Sequence, residues 1–521
     1  MPLDGSPADG VARLAGDSGA SGPEPAPAPA PAGADRRRGR PDLVPWLIAV
    51  PVFAAYTVIS VFRYLRRDPT SWDLGIFTEY VKQYAHLQAP IVNIRGEGVD
   101  LLGDHFHPIV ALIAPFFLLF PTSATLLVAQ ALLAAVSVFP VYRAGAELLG
   151  RGAGGAIAAA YGFSWGLQQM VNYDFHEIAF AVPLLAFSLS ALVRGRMRTA
   201  VLWALPLVFV KEDQGFTLVA IGLIIAFAYR RHGLGLFLAG WGLFWSLLAI
   251  LVIIPHFNAS HTYAYWSVAG AANPTNGHFS LAGLVHGLWG NLTDGASMKL
   301  PTLVLILLPT AFIALRSPLV LAAVPSLALR AIGNDPHYWV TQWHYNATVM
   351  PIMFIAAIDA IARIRARRSA AVAAAADRPP GRPPAAELLG GVLQHYGAAA
   401  MLAICAALAF QFSLSALWTP ATYALGPHVA AENAAMAKVP DGASVSTDLD
   451  LLAPLAARTD TYWLGNFPTN PATEYVVFDT QSTDWQPPPV NVLSFVEGLE
   501  HNTPYRQLYV NDGVYVFRRA G

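Results

Sequence analysis

The chain has 521 residues, 55% of them apolar and only 12% charged, with 32 basic and 33 acidic side chains and a formal net charge of −1. That balance leaves no basic surface for nucleic acid, and the apolar excess is that of a polytopic membrane protein. A single cysteine, Cys405, sits inside an apolar run, which excludes intrachain disulfides and argues against redox chemistry.

Residues 1–42 are rich in Pro, Ala and Gly and predict a disordered cytoplasmic tail. Arg36-Arg37-Arg38-Gly39-Arg40 precedes the first apolar run, 43–62, and puts the N-terminus inside. Arg63, Arg66 and Arg67 beyond that run oppose this, but the later basic loops outvote them. Residues 63–107 are then an outside loop, with a surface helix expected around Asp73–His86. The next apolar stretch, 108–120, is short and bracketed by Pro108 and Pro121. If it crossed fully, Arg194–Arg198, Arg230-Arg231 and Arg363–Arg368 would all face outside, against the positive-inside rule. It is therefore expected to be re-entrant or interfacial. Further spans are expected at 122–146, 153–171, 178–193, 199–212, 214–229, 234–255, 299–315, 318–333, 347–362 and 391–416. The fold class is thus an α-helical polytopic membrane protein with about 11 transmembrane helices over 43–416 and a basic cytoplasmic linker at 363–390.

The character changes after 417. Short β-like runs at Ala443–Thr447, Thr461–Leu464, Tyr475–Asp479 and Gln507–Phe517 alternate with helical stretches near 428–438 and 449–458. Asp512-Gly513 between Tyr509-Val510 and Val514–Phe517 is a hairpin signal. Residues 417–521 are read as a small α/β domain on the extracytoplasmic side.

This threading sends one set of ionisable motifs outward. Asp73, in Ser-Trp-Asp-Leu-Gly-Ile-Phe, is either a helix cap or a carboxylate with a raised pKa that accepts a proton from an acceptor hydroxyl. Asp104, His105 and His107, just before Pro108, suit a phosphate or a sugar. They suit a metal only if His176 or Glu177 completes the ligand set. Lys211-Glu212-Asp213 lies in an almost unbroken apolar stretch. Lys211 there is either a point charge for a phosphate or part of a self-neutralising turn. His337 and His344 sit among aromatics that form an interfacial belt or stack on a sugar. No cofactor is fixed by these motifs; a divalent metal is the one left open.

The order Trp-Asp-Leu-Gly-Ile-Phe, Gly-Asp-His-Phe-His-Pro, Phe-His-Glu, Val-Lys-Glu-Asp and His-Tyr-Asn-Ala-Thr-Val-Met-Pro resembles an uncharacterised family of predicted prokaryotic membrane proteins. That family is grouped with the GT-C glycosyltransferases, and the resemblance covers roughly 44–365. It implies transfer of a sugar from a polyprenyl-phosphate donor at the outer face of the plasma membrane to a glycan, lipid or protein acceptor. Asp73 matches the essential acidic residue that such enzymes carry soon after the first span, and Asp104 and His107 match a second polar patch. One departure is the lack of an adjacent acidic pair at 72–74. On this reading Asp73 and Asp104 are catalytic. His105, His107, His176, Glu177, Lys211, Glu212, His337 and His344 bind substrate. The alternatives are a transporter or flippase of an anionic or lipid-linked substrate, disfavoured because the motifs fall at span ends on one side, and a non-catalytic envelope assembly protein.

Overall fold

The computed structural model describes residues 42–68, 71–268, 278–374 and 385–521. The expected tail, the middle of the 256–298 loop and residues 375–384 of the linker lie outside the described residues. The first apolar run forms α1 (Val44–Leu65), whose 22 residues reach about 33 Å, enough to cross a bilayer core of about 30 Å. Its Trp46, Leu47 and Val50 are exposed, as lipid-facing side chains are, while Tyr56 is buried and donates to the Gly162 carbonyl at 2.6 Å. Then come α2 (Ser71–Ala85) and α3 (Ala114–Leu119), the latter preceded by a 3₁₀ turn at Pro108–Ile113. This 108–119 unit is too short to span, and it exposes Leu112, Phe116, Leu118 and Leu119.

The bundle continues through α4 (Ala124–Val136), α5 (Val138–Leu149), α6 (Arg151–Gly162), α7 (Trp165–Asn172), α8 (Ala181–Val193), α9 (Met197–Ala204) and α10 (Gln214–Leu223). It closes with α11 (His232–Leu248), α12 (Ile254–Phe257), α13 (Leu281–Thr293), α14 (Ala296–Leu307), α15 (Val324–Ile332), α16 (Val349–Ala374) and α17 (Ala385–Ala409). Five stretches are long and apolar enough to cross alone: 44–65, 124–149, 232–257, 344–371 and 390–409. The helices within 178–193, 199–212, 214–229 and 318–333 are shorter than a full span. Run 153–171 is divided between α6 and α7 by Phe163-Ser164, and Leu205-Pro206 turns the end of α9 into 3₁₀ helix. The basic linker is shorter than its composition suggests. Its Ala/Arg-rich start favours helix, so α16 runs on to Ala374, and α17 already begins at Ala385.

In the 344–371 stretch 83% of the apolar window is buried, against 33% for α1 and 28% for 390–409, so α16 is central and the others are peripheral. Where α10 meets α11, only glycine fits: a Cβ on Gly222 would lie 2.5 Å from the Gly235 carbonyl oxygen. Three segments fix the polarity of the bundle. The run 124–149 starts beside Ser123 and ends at Glu147, which pairs with Arg143 and Arg194. Helix α8 lies between Glu177 and Arg194, and α16 starts just after His344 and carries Arg363 further along. The basic loops therefore gather at one end and the polar motifs at the other.

The C-terminal part has α18 (Pro427–Met436), β1 (Ser444–Thr447), α19 (Leu449–Ala456), β2 (Asp460–Trp463), β3 (Tyr475–Asp479), α20 (Val492–Leu499), β4 (Tyr505–Asn511) and β5 (Val514–Arg519). The sheet order is β2-β1-β3-β5-β4, with β1 parallel to β2 and β3, and β5 antiparallel to β3 and β4. Asp512 and Gly513 both have positive φ, as a tight two-residue hairpin turn requires. Helix α20 was not foreseen from the sequence. The domain docks on the polar-motif end: Ser123 Oγ donates to the Ala453 carbonyl and Lys82 Nζ to the Thr459 carbonyl, each at 2.6 Å, and Trp72 packs edge-on against Trp463. Leu452, Ala453 and Ala456 join the core of the helical part.

Candidate functional site

A polar cavity of about 430 Å³ opens at this end. Asp73 lies in the first turn of α2, where a capping role was an alternative. Instead its Oδ2 accepts a hydrogen bond from Tyr173 at 2.7 Å and pairs with His176 Nε2 at 3.3 Å. The contact joins two loops a hundred residues apart. His176 in turn stacks on His344, with ring centroids 3.5 Å apart, and on Tyr173. Burial pushes the Asp73 carboxyl up, but the His176 charge and the two hydrogen bonds outweigh it and leave its pKa lowered. That corrects the raised pKa expected from its apolar flanks. The same pairing raises His176, against its own desolvation.

Glu177 and Lys211 form a buried ion pair at 3.0 Å. Glu212 accepts from His105 Nδ1 at 2.8 Å, from Tyr263 at 2.9 Å and from the Phe106 amide at 3.1 Å. His105 stacks on Tyr265, whose hydroxyl donates to Asp104 at 3.2 Å, and Arg95 approaches Asp104 at 3.4 Å. His107 is buried against Tyr80, its Nδ1 3.1 Å from the hydroxyl, and burial lowers its pKa to about 4, so the ring is neutral at pH 7. His337 is exposed and paired with Asp335 at 2.7 Å, on the cavity rim.

The fold thus gathers Asp73, Asp104, His105, His107, His176, Glu177, Lys211, His337 and His344 around one cavity, with Glu212 directly behind His105. It does not gather His105 and His107 with His176 or Glu177 as a ligand set. His105 turns to Glu212, and His107 to Tyr80. Among the described residues, this cavity brings no three His, Cys, Asp or Glu ligand atoms within 4.8 Å of one another, so a divalent metal has no ready donor set there.

A second cavity, of about 280 Å³, adjoins the first. Its walls are largely apolar, with Phe216 of α10, Leu247 of α11 and Leu329 of α15 among them, and it shares His105, Glu177 and Lys211 with the polar one. Arg330 also lines it, held by the Tyr338 carbonyl at 2.8 Å and by Asn346 at 3.0 Å. Arg330 and Arg95 were not singled out from sequence. For Arg330 the signal was present, because an arginine inside the apolar run 318–333 is expensive unless it serves a purpose.

The model of the family described as "Predicted membrane protein (DUF2079)" matches residues 68–516. The chain belongs to this family. No curated protein matches it. Among solved structures, the fold is similar to ArnT from Cupriavidus metallidurans bound to undecaprenyl phosphate, at 15% identity and a TM-score of 0.48, covering 92% of this chain and 99% of that one. It is also similar to the Archaeoglobus fulgidus oligosaccharyltransferase in its apo form, at 11% identity and a TM-score of 0.39, covering 91% and 74%. The family match spans both the helical part and the sheet domain of this multi-pass membrane protein.

Proposed function

We propose that the protein is a membrane glycosyltransferase that moves a sugar from a polyprenyl-phosphate donor to an extracytoplasmic acceptor. One observation carries the reading: a polar cavity and an apolar cavity meet at Lys211. A lipid-linked sugar has the same layout, with a prenyl chain for the apolar side, a phosphate at the junction and a sugar for the polar side. Lys211 has three donors and spends one on Glu177, so others are free to meet a phosphate oxygen. Arg330, in the wall of the apolar cavity, adds a second cation.

In this mechanism an acceptor hydroxyl oxygen attacks the anomeric carbon from the face opposite the phosphate. The carbon–oxygen bond to the phosphate breaks, and polyprenyl phosphate leaves with the electron pair, its charge stabilised by Lys211. Asp73 has a lowered pKa and is a weak base. It therefore orients the hydroxyl first and takes its proton late, once bond formation has made that proton acidic. His176 and Tyr173 hold the carboxylate in place. Asp104 and His107 line the sugar side, and His344 and His337 border it.

The test is turnover of labelled polyprenyl-phosphate sugars by the protein in lipid, for wild type and Asp73→Asn. Release of one sugar that vanishes in the variant supports the reading. Binding of donors without turnover, across a broad panel, favours the transporter or flippase. Full turnover by both Asp73→Asn and Asp104→Asn removes the assigned chemistry.

A further inference from the structure

The C-terminal domain holds a histidine–carboxylate cluster that the transfer reaction does not use. His428 and Glu432 lie one turn apart on the same face of α18, and Asp479 ends β3. His428 Nε2 is 2.8 Å from Asp479 Oδ2 and 4.0 Å from Glu432 Oε1, and ligand atoms of the three residues all lie within 4.8 Å of one another. Among the described residues no other His, Cys, Asp and Glu group is so arranged.

The surroundings point the same way. The Glu432 side chain is only 3% exposed, yet its Oε2 has no hydrogen-bond partner; Arg67 Nε faces it at 3.8 Å, also without one. Asp448, which follows β1, and Asp450 and Asp484 crowd the same edge, so five carboxylates stand against Arg67 and His428. This edge is formed by the carboxyl ends of the adjacent parallel strands β1 and β3, where open α/β sheets bind their ligands. His428 is also held from behind, with its Nδ1 3.1 Å from both Asp512 Oδ2 and the Gln481 side-chain nitrogen. A ring that donates from Nδ1 to a carboxylate presents the Nε2 lone pair forward, as metal-binding histidines do.

We propose that His428, Glu432 and Asp479 bind a divalent first-row metal ion, with Asp512 as the partner that orients His428. One imidazole and two carboxylates suit Zn²⁺ or Mn²⁺ better than Mg²⁺ or Ca²⁺. Bonds of about 2.1 Å place neighbouring ligand atoms roughly 3.0–3.5 Å apart, between the two distances from His428 Nε2. The ion would replace the proton between His428 and Asp479 and satisfy Glu432. The inference is independent of the glycosyl-transfer reading.

The test uses the full-length protein in lipid nanodiscs, stripped with chelator and titrated with Mn²⁺ or Zn²⁺. Bound ion is counted by electron paramagnetic resonance for Mn²⁺ and by elemental analysis for Zn²⁺. One tight equivalent is expected, lost in Glu432→Gln and in Asp479→Asn and weakened about 10- to 100-fold in Asp512→Asn. Asp479→Asn can disturb the loop, because Asp479 Oδ1 also accepts from the Gln481 amide. Glu432→Gln removes the charge facing Arg67 but no hydrogen bond at Oε2, and Arg67 keeps its bonds to the Tyr64 carbonyl and Asn433, so the test stays valid. No tight equivalent in the wild type, or an equivalent that survives Glu432→Gln, overturns the proposal. An ion lost in Asp73→Asn instead would belong to the membrane cavity and would overturn it as well.

Discussion

Removing Lys211 separates its part in the fold from its part in donor binding. The Lys211 side chain is 20% exposed and that of Glu177 2%, and Glu177 Oε1 has no hydrogen-bond partner besides this ion pair. Lys211→Met therefore strands a buried carboxylate, a change that costs about 3–5 kcal/mol. Glu177→Leu in the same chain removes the stranded charge. The double variant should then unfold within about 1 kcal/mol of wild type, since apolar replacement of a whole buried pair is often neutral. Equilibrium unfolding in mixed micelles, followed by tryptophan fluorescence, reads both numbers. Binding behaves differently if Lys211 meets the phosphate. Loss of a charge-assisted hydrogen bond costs about 1.5–3 kcal/mol, or roughly 10- to 100-fold in Kd for polyprenyl phosphate. The double variant should keep that loss although its stability is restored. A double variant that binds polyprenyl phosphate as wild type does would refute the phosphate role. A cost below about 1 kcal/mol for Lys211→Met would refute the buried pair.

Three further outcomes are expected. Tyr173→Phe deletes one hydrogen bond to Asp73 and should slow transfer a few-fold, about 1 kcal/mol, whereas Asp73→Asn should slow it by about 100-fold or more; initial rates with one donor compare the two. His107 has a pKa of about 4 in the folded chain against 6.5 for an ordinary histidine. The unfolded state thus binds the extra proton between these values, and stability falls as pH drops from 6.5 towards 4, by up to about 3 kcal/mol. Glu79 and Asp174, whose burial raises both to about 7, titrate with the opposite sign over part of this range. The measurement is therefore the difference between wild type and His107→Gln, which should move steadily in favour of the variant on acidification; a flat difference contradicts the buried neutral ring. Gly222→Ala drives a methyl group against the Gly235 carbonyl and should cost about 1–3 kcal/mol by overpacking α10 on α11, read as a lowered midpoint in the same unfolding assay.

What the sequence made legible is set by range. Each polar motif was visible because an ionisable group next to an apolar run is conspicuous, and parity with the basic loops placed the motifs on one side. The short 108–120 helix came out of the same parity. The turn at Asp512-Gly513 and strand Tyr475–Asp479 were readable because their signals are local. The role of Asp73 was not. Its neighbours favour a cap, and only Tyr173 and His176, distant in sequence, turn it into the cavity.

The same limit governs every charge in the site. Asp73 is matched by His176, Glu177 by Lys211, Glu212 by His105 and Asp104 by Arg95. In three of these pairs the partners come from different loops, so no sequence window contains both, and each residue alone reads as an unpaid buried charge or a wet loop residue. Their pairing makes the burial tolerable, since a paired charge keeps most of its Coulomb energy while an orphan costs several kcal/mol. It also explains why Lys211-Glu212-Asp213 could not be decided locally: Lys211 forms its ion pair with Glu177 rather than with an adjacent residue, and Glu212 points back to His105. The cluster at His428 differs in kind. There the carboxylates outnumber the cations, and Glu432 Oε2 is left without a hydrogen bond. The proposed metal ion would add a cation to this cluster beside Arg67.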